Sequence, residues 1–424
     1  MVKLERILWP GLFLLLVSVG ALADEQSSEK PEDWERRLEM LRSVPYVTFS
    51  DSGVDESEGN VEFYDREKAY PGYNLYCSGL SREAYLLDMN GRVMHRWTET
   101  STGDSSTLHH AVMLENGDLI MIRKPMELLR LGWNSELIWK KKLRAHHEVT
   151  QAPDGSFFTI IALDEINYRG HRVVFDAMVH LTADGEEIGR WSTYEHLGEL
   201  KDFLDTRSFL DTVFDSISSS WSPGDEHAAE VKKKEVQGQP DKKYDYFHMN
   251  TITILPGTVL GERDSRFQRG NLLVCFRNVN QIAVLEKDTY RVLWAWGEGE
   301  LEWPHHPTML PNGHILVFDN GDWRGYSRVV ELDPVAEDIV WEYKAEPPED
   351  FYTSIGGSAQ RFPNGNTLIC ETHKARVFEV TQEGEVVWVW RNPTIKRFRR
   401  ETVYRMIRLP LVQVDSLLDR WRGR

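Results

Sequence analysis

Seven histidines stand at the head of apolar runs: the pairs His109-His110, His146-His147 and His305-His306, and His248 alone. Imidazole is both a nucleophile and a proton carrier near neutral pH. Arg277, in Cys275-Phe276-Arg277-Asn278, adds a guanidinium whose planar fork of donors matches a tetrahedral oxyanion and keeps its charge. Several imidazoles with one guanidinium make an oxyanion site suited to sulfate or phosphate esters. For sulfuryl transfer the transition state is loose, by analogy with phosphoryl transfer, so positioning and cationic donors matter most. Three or four histidines could also hold zinc or copper. The arginine argues against it, because a cation repels a guanidinium, and no metal ligands are assigned. No glycine loop of the phosphate-cradling kind is present, so neither a nucleotide donor nor a cofactor is expected.

These residues are scattered over some 200 positions, and a repeat brings them together. Aligned on the glycine of a tight turn, where positive φ is needed, His109 leads to Asn116-Gly117, His147 to Asp154-Gly155, His248 to Pro256-Gly257 and His305 to Asn312-Gly313. A last copy runs from Gly356-Gly357-Ser358 to Asn364-Gly365. Each copy ends in a second half with a turn and an aromatic strand, as in 84–97, 178–191, 282–296, 329–341 and 377–390, with 126–139 a degenerate sixth. Period-2 alternation of Val, Ile, Leu and Trp marks strands. Units of roughly 40 to 50 residues with about four strands are the mark of propeller blades. The expected fold is therefore all-β, a six-bladed β-propeller over 53–393, and the weaker alternative is an array of β-sandwiches. The first blade would take its inner strand from 53–64 or from a chain end. Since the first strand of each blade lines the central channel, the histidines would converge at one mouth. The competing explanation is that the repeat duplicated a structural histidine capping each inner strand.

Length allows two or three domains, but the repeat argues for one. A formal charge of -17 makes nucleic acid or an anionic membrane surface a poor main partner. Cys77, Cys275 and Cys370 are odd in number, and the last two sit in apolar strands where a buried free thiol is ordinary, so no bridge is expected. Residues 1–23 carry Lys3 and Arg6, an apolar run and an Ala21-Leu22-Ala23 end, the layout of a cleaved secretory leader, which implies a periplasmic or extracellular protein. An acidic approach segment, 24–52, with a short helix at 34–41, follows. Between the third and fourth units a helical and polar insertion, about 194–244, is placed to cover the channel mouth as a lid or to lie on the surface as a loop. The tail, 394–424, is basic and expected to be helical, docking on its own protein in preference to a membrane. Membrane contact would be confined to that tail or to an uncleaved N-terminus. Oligomeric state is silent in the sequence.

Four pieces in one order on one repeat resemble the bacterial arylsulfate sulfotransferases: His146-His147 before Pro153-Asp154-Gly155, His248-Met249-Asn250, Phe276-Arg277-Asn278, and His305 with Pro307, Leu310-Pro311-Asn312-Gly313 and Phe318-Asp319-Asn320-Gly321. The resemblance extends from about Gly53 to Val403-Tyr404-Arg405. That family consists of six-bladed propellers that pass a sulfuryl group from a phenolic sulfate ester to another phenol through a sulfated histidine. The resemblance implies that His305 is the nucleophile, and that His147, His248 and Arg277 hold the sulfuryl oxygens and assist the leaving phenol. His305 is preferred to His306 because it stands eight residues before its turn glycine, as His109 and His147 do. His306, His146 and His109 are the alternates. Implied partners are an aryl sulfate donor and a phenolic acceptor.

Two other propeller functions compete. A quinone-dependent dehydrogenase would need an adjacent cysteine pair or carboxylates for calcium, and neither is found. A non-catalytic binding or scaffold propeller could keep the histidines for structure. The joint presence of His147, His248, Arg277 and His305 favours the enzyme.

Overall fold

The computed structural model describes residues 49–53, 60–78, 82–100, 107–124, 127–204, 243–396 and 399–422. The expected leader at 1–23, the helix at 34–41 and the 205–242 part of the insertion lie outside them.

The chain is a β-propeller built from successive antiparallel sheets. The second sheet runs Thr107–Met113, Leu119–Lys124, Glu127–Leu131, Leu137–Lys142, and the third Ala145–Gln151, Phe157–Ala162, Asp176–Leu181, Glu187–Ser192. The fourth comprises Met249–Ile254, Leu272–Phe276, Gln281–Leu285 and Val292–Trp296; the fifth His305–Met309, Ile315–Asp319, Arg328–Asp333 and Asp338–Tyr343. Strands second from the inside are mainly apolar because a neighbouring sheet covers each face, and Leu272–Phe276, Ile315–Asp319 and Thr367–Glu371 are buried at every position. Outer strands such as Leu137–Lys142 meet water and are exposed or half-buried along their length.

Packing closes the sheets into a ring. Leu75 and Trp97 of the first sheet meet Met113 and Leu129 of the second, and Ile122 of the second meets Phe157 and Val179 of the third. Met178 and Trp191 meet Ile252 and Val274, Cys275 and Trp294 meet Val317 and Leu332, and Phe318 meets Ile369 and Phe378. Tyr76 and Leu87 of the first sheet finally meet Trp388 and Trp390 of the sixth, which runs Ser358–Arg361, Thr367–Glu371, Arg376–Val380, Val386–Arg391.

The chain ends lock this ring from both sides. The inner strand of the first sheet is Met406–Leu409, paired Tyr73↔Leu409 through Tyr76↔Met406 with Tyr73–Ser78, so a chain end and not 53–64 supplies it. Val61–Tyr64 instead adds a fifth, outermost strand to the sixth sheet, beside Val386–Arg391. Fully buried Arg408 holds the seam, donating to Asn74 Oδ1 at 2.9 Å, to Tyr70 O at 2.9 Å and to the Glu379 carboxylate.

The tail is therefore not helical from 394 onward: Ile395–Lys396, Arg399–Glu401 and Met406–Leu409 are strands, and only Leu411–Arg422 is a helix. Open sheet edges nearby offered the tail's alternating residues a ladder, whereas Pro410 marks where a helix can start. Val414, Leu417 and Leu418, at helical spacing, bury against Leu75, Met113 and Trp133, so the helix docks on its own protein. Of the insertion, Leu197–Phe203 is a helix whose Leu200 packs on the third and fourth sheets. No helix among the described residues is long and apolar enough to cross a membrane. All three cysteines are free and buried.

Candidate active site

The inner strands that open on histidine each slip register there. Shifts fall between Leu108 and His110, His146 and Val149, Met249 and Thr251, and His305 and Thr308. An inserted residue breaks the ladder and re-aims a side chain. Backbone φ is +58° at His147, +48° at His248 and +49° at His306, conformations uncommon outside glycine. In the last copy the matching position is Gly357 at φ +97°, where a Cβ would sit 2.4 Å from the Phe318 ring. The strands are stitched at this level: Asn250 Nδ2 donates to Pro304 O at 2.9 Å, and His306 N to Thr251 Oγ1 at 3.0 Å. Rings from separate sheets consequently meet, His109 to His147 at 5.6 Å and His147 to His248 at 4.8 Å between centroids. Tyr404, from the closing segment, lies against His109 at 3.9 Å.

His305 is 3 % exposed, and its Nδ1 faces two acceptors, Asn320 Oδ1 at 2.7 Å and Trp303 O at 3.0 Å. The Asn320 amide cannot be turned over, because its Nδ2 donates to Thr353 O at 2.6 Å and Gly356 O at 2.9 Å. The proton therefore resides on Nδ1 and the lone pair on Nε2. Burial, with the Arg277 charge adding to it, lowers the His305 pKa to about 3, so the ring is neutral at physiological pH.

Arg277 follows the strand Leu272–Phe276 in a short turn. Its guanidinium lies over the Trp303 ring at 4.5 Å, and Nε donates to Asn278 Oδ1 at 3.0 Å. Asn278 Nδ2 in turn holds Asp245 O at 2.7 Å. Asp245 accepts from His248 twice, Nδ1 to Oδ2 at 2.5 Å and N to Oδ1 at 3.1 Å, which again leaves the lone pair on Nε2. Burial and then Arg277 push the His248 pKa well down, while burial raises that of Asp245.

His146 and His147 interact directly, Nδ1 to Nδ1 at 2.6 Å, and His146 Nε2 lies 3.2 Å from Asp176 Oδ1. The other oxygen of Asp176 accepts from Met249 N at 2.7 Å. Asp176 is raised by burial and then by the Asp245 charge.

His306 occupies different surroundings from its neighbour His305. Its Nδ1 donates to Ala359 O at 3.1 Å, and its charge partners are the buried trio Arg405, Glu148 and His110. Arg405 Nη1 donates to Glu148 Oε2 at 2.8 Å, and His110 Nε2 is 3.3 Å from Glu148 Oε1. Burial opposes ionisation of Glu148, yet Arg405 and His110 hold its pKa at about 2. Arg405 and Glu148 form an internal ion pair with His110 against it.

Arg277, His248 and His305 thus lie near enough to act on one another's charge, with His147 edge-on to both His248 and His109, His146 behind His147, and His306 in other surroundings. Four groups that matter here were not singled out from sequence: Asn320, Asp245, Asp176 and Glu148. Asn320 was visible only as a turn residue in Phe318-Asp319-Asn320-Gly321. Asp245 precedes His248 by three positions, close enough to be a hydrogen-bond partner, and was the one legible signal. The arrangement offers a neutral imidazole with its lone pair fixed on Nε2, a guanidinium that can pair with an anion, and further imidazoles beside them. Among the described residues no group of three or more His, Cys, Asp or Glu side chains is set to hold a metal ion.

A family model described as arylsulfotransferase (ASST) matches residues 110–393, two thirds of the chain. No curated protein matches it in sequence. Similar solved structures include a protein of unknown function from Bacteroides caccae, at 12% identity and TM-score 0.49 over 80% of this chain and 98% of that one. A streptogramin B lyase matches at 10% identity and TM-score 0.43, covering 83% of this chain and 88% of the other. The Cps50 (Swd1) β-propeller domain of Myceliophteria thermophila does so at 9% and 0.42, covering 85% of this chain and all of that one.

Proposed function

The chain belongs to the arylsulfotransferase family, and on that basis we propose that it transfers a sulfuryl group from a phenolic sulfate ester to a phenolic acceptor through a sulfohistidine on His305, with no nucleotide donor and no cofactor. Nε2 of His305 attacks sulfur, an N–S bond forms, and the S–O bond to the aryl group breaks. A second phenol then attacks the same sulfur and the N–S bond breaks. Arg277 holds the sulfuryl oxygens as a fork. His147 and His248 complete the cradle and, when protonated on Nε2, donate to the departing phenolate.

The observation that carries this reading is the tether on His305: two carbonyl oxygens on Nδ1 fix the lone pair on Nε2 and favour the cationic ring that sulfation creates. We read the successive sheets as six blades with this site at one channel mouth. We also read the 1–23 stretch as an export leader, which would put the reaction in the periplasm or outside the cell.

The test is release of a chromogenic phenol from an aryl sulfate by purified protein free of metal and nucleotide, with and without a second phenol. Turnover that depends on the acceptor supports the transferase; no release from a panel of donors by folded protein leaves a binding propeller.

A further inference from the structure

The two half-reactions of such a transfer make opposite demands on a proton. A departing phenolate of high basicity needs one, and the incoming phenol must give one up. An enzyme that keeps the proton between the two steps needs a store near the sulfuryl site, out of contact with solvent.

We propose that His146 and Asp176 are that store, a proton relay that acts through His147; the proposal rests on the sulfuryl-transfer reading above. Three buried groups stand in sequence: His147 Nδ1 is 2.6 Å from His146 Nδ1, and His146 Nε2 is within ion-pair distance of Asp176 Oδ1, at 3.2 Å, without being aligned as a hydrogen bond. Two Nδ1 atoms in contact need one proton between them, so the state of the far end dictates that of the near end. With Asp176 ionised, a small turn of the His146 ring brings its Nε2–H onto the carboxylate 3.2 Å away, His146 Nδ1 accepts, His147 carries its proton on Nδ1, and His147 Nε2 is a base. Protonating Asp176 reverses each bond and leaves His147 with an Nε2–H to donate.

The proton balance closes. In the first half-reaction the phenolate takes the proton from His147 Nε2, His147 Nδ1 takes one from His146, and His146 Nε2 takes one from Asp176, which becomes a carboxylate. In the second, the acceptor phenol gives its proton to His147 Nε2 and the shifts run backward to restore the acid. No external acid or base enters. His146, Asp176 and His147 are all buried, at 7 %, 2 % and 4 % exposed. Burial and the neighbouring Asp245 charge raise the Asp176 carboxyl toward the range in which it can hold a proton, while His146 opposes that shift. Asp176 also keeps its other oxygen on Met249 N, so a proton on Oδ1 leaves the backbone contact intact. His146 and Asp176 are positioning residues, since neither faces the sulfur.

The experiment is single-turnover phenol release without acceptor, measured across aryl sulfates whose leaving phenols range from strongly acidic nitrophenols to weakly acidic alkylphenols, in wild type, Asp176→Asn, His146→Gln and Asp245→Asn. Loss of general acid help should cost about 100-fold with the least acidic phenols and leave nitrophenol release little changed. Asp176→Asn and His146→Gln should both steepen the dependence on leaving-group acidity in this way. His146→Gln leaves the Met249 contact in place and supplies the readout if Asp176→Asn does not fold. A loss of the same size for every donor, or no change, overturns the relay; so does a steepened dependence in Asp245→Asn alone, which would move the proton to His248. Silence of the wild type toward all donors is a different result and refutes the transferase reading itself.

Discussion

Asn320 Oδ1 stands 2.7 Å from His305 Nδ1, and Asn320 is itself anchored by both amide hydrogens to Thr353 O and Gly356 O. One side chain from the end of the next strand thus sets the tautomer of the histidine that opens the fifth sheet. Asn320→Ala should lower turnover by more than it changes KM, because Trp303 O is left as the one acceptor of the pair that holds the Nδ1 proton and with it the lone pair on Nε2. It should also cost about 1–3 kcal/mol in urea unfolding, because the Thr353 and Gly356 carbonyls each lose a donor. Unchanged kcat would separate the tether from the chemistry.

Arg277→Lys keeps the charge and loses the fork. The expected fall in kcat/KM is about 10²-fold, the size seen when one preorganised donor to a developing oxyanion is removed. A near-normal value would place the sulfuryl oxygens away from Arg277.

His306→Asn should retain transfer, since Asn can still donate to Ala359 O and His305 is untouched. Its stability should depend on pH in a defined sense. Burial, with Arg405 adding to it, depresses the His306 pKa well below its ordinary value of 6.5. Above that pH both folded and unfolded chains carry it neutral. As pH falls below 6.5 only the unfolded chain takes up the proton, so wild type loses stability that the variant keeps. The melting temperature of wild type relative to His306→Asn should therefore drop between pH 7 and pH 5; a constant difference would contradict the desolvation of this half-buried ring.

The ring of sheets was legible because its signal repeats: a turn glycine after each inner strand and an aromatic strand in each second half. That repeat alone predicted that the inner-strand histidines would converge, whereas the set His147, His248, Arg277 and His305 came from the family resemblance. What stayed hidden depends on register. The histidine strands slip register, and a one-residue slip decides which partners each of two adjacent rings meets, as His305 and His306 illustrate. Partners supplied by another strand, Asn320 to His305 and Asp176 to His146, leave no mark in local spacing. The closing strand Met406–Leu409 was masked by its arginines, which read as a basic tail until Glu379, Gln360 and Asn74 are seen to receive Arg408.

That closure has its own consequence. Glu379→Gln leaves the guanidinium of Arg408 buried without its counter-charge and should cost about 3–5 kcal/mol. Arg408→Met in the same background should recover much of the loss, read as the denaturation midpoint of the double variant against the single one.

The most direct test of the central claim is to mix the protein with excess aryl sulfate and no acceptor, follow the phenol, and map the modified residue by mass spectrometry after an alkaline quench. The account predicts a burst of one phenol per protein molecule, one SO3 on the peptide that begins the fifth sheet, localised to His305, and neither in His305→Ala. A burst that survives in His305→Ala, or an SO3 localised to His306 or another residue, would contradict it.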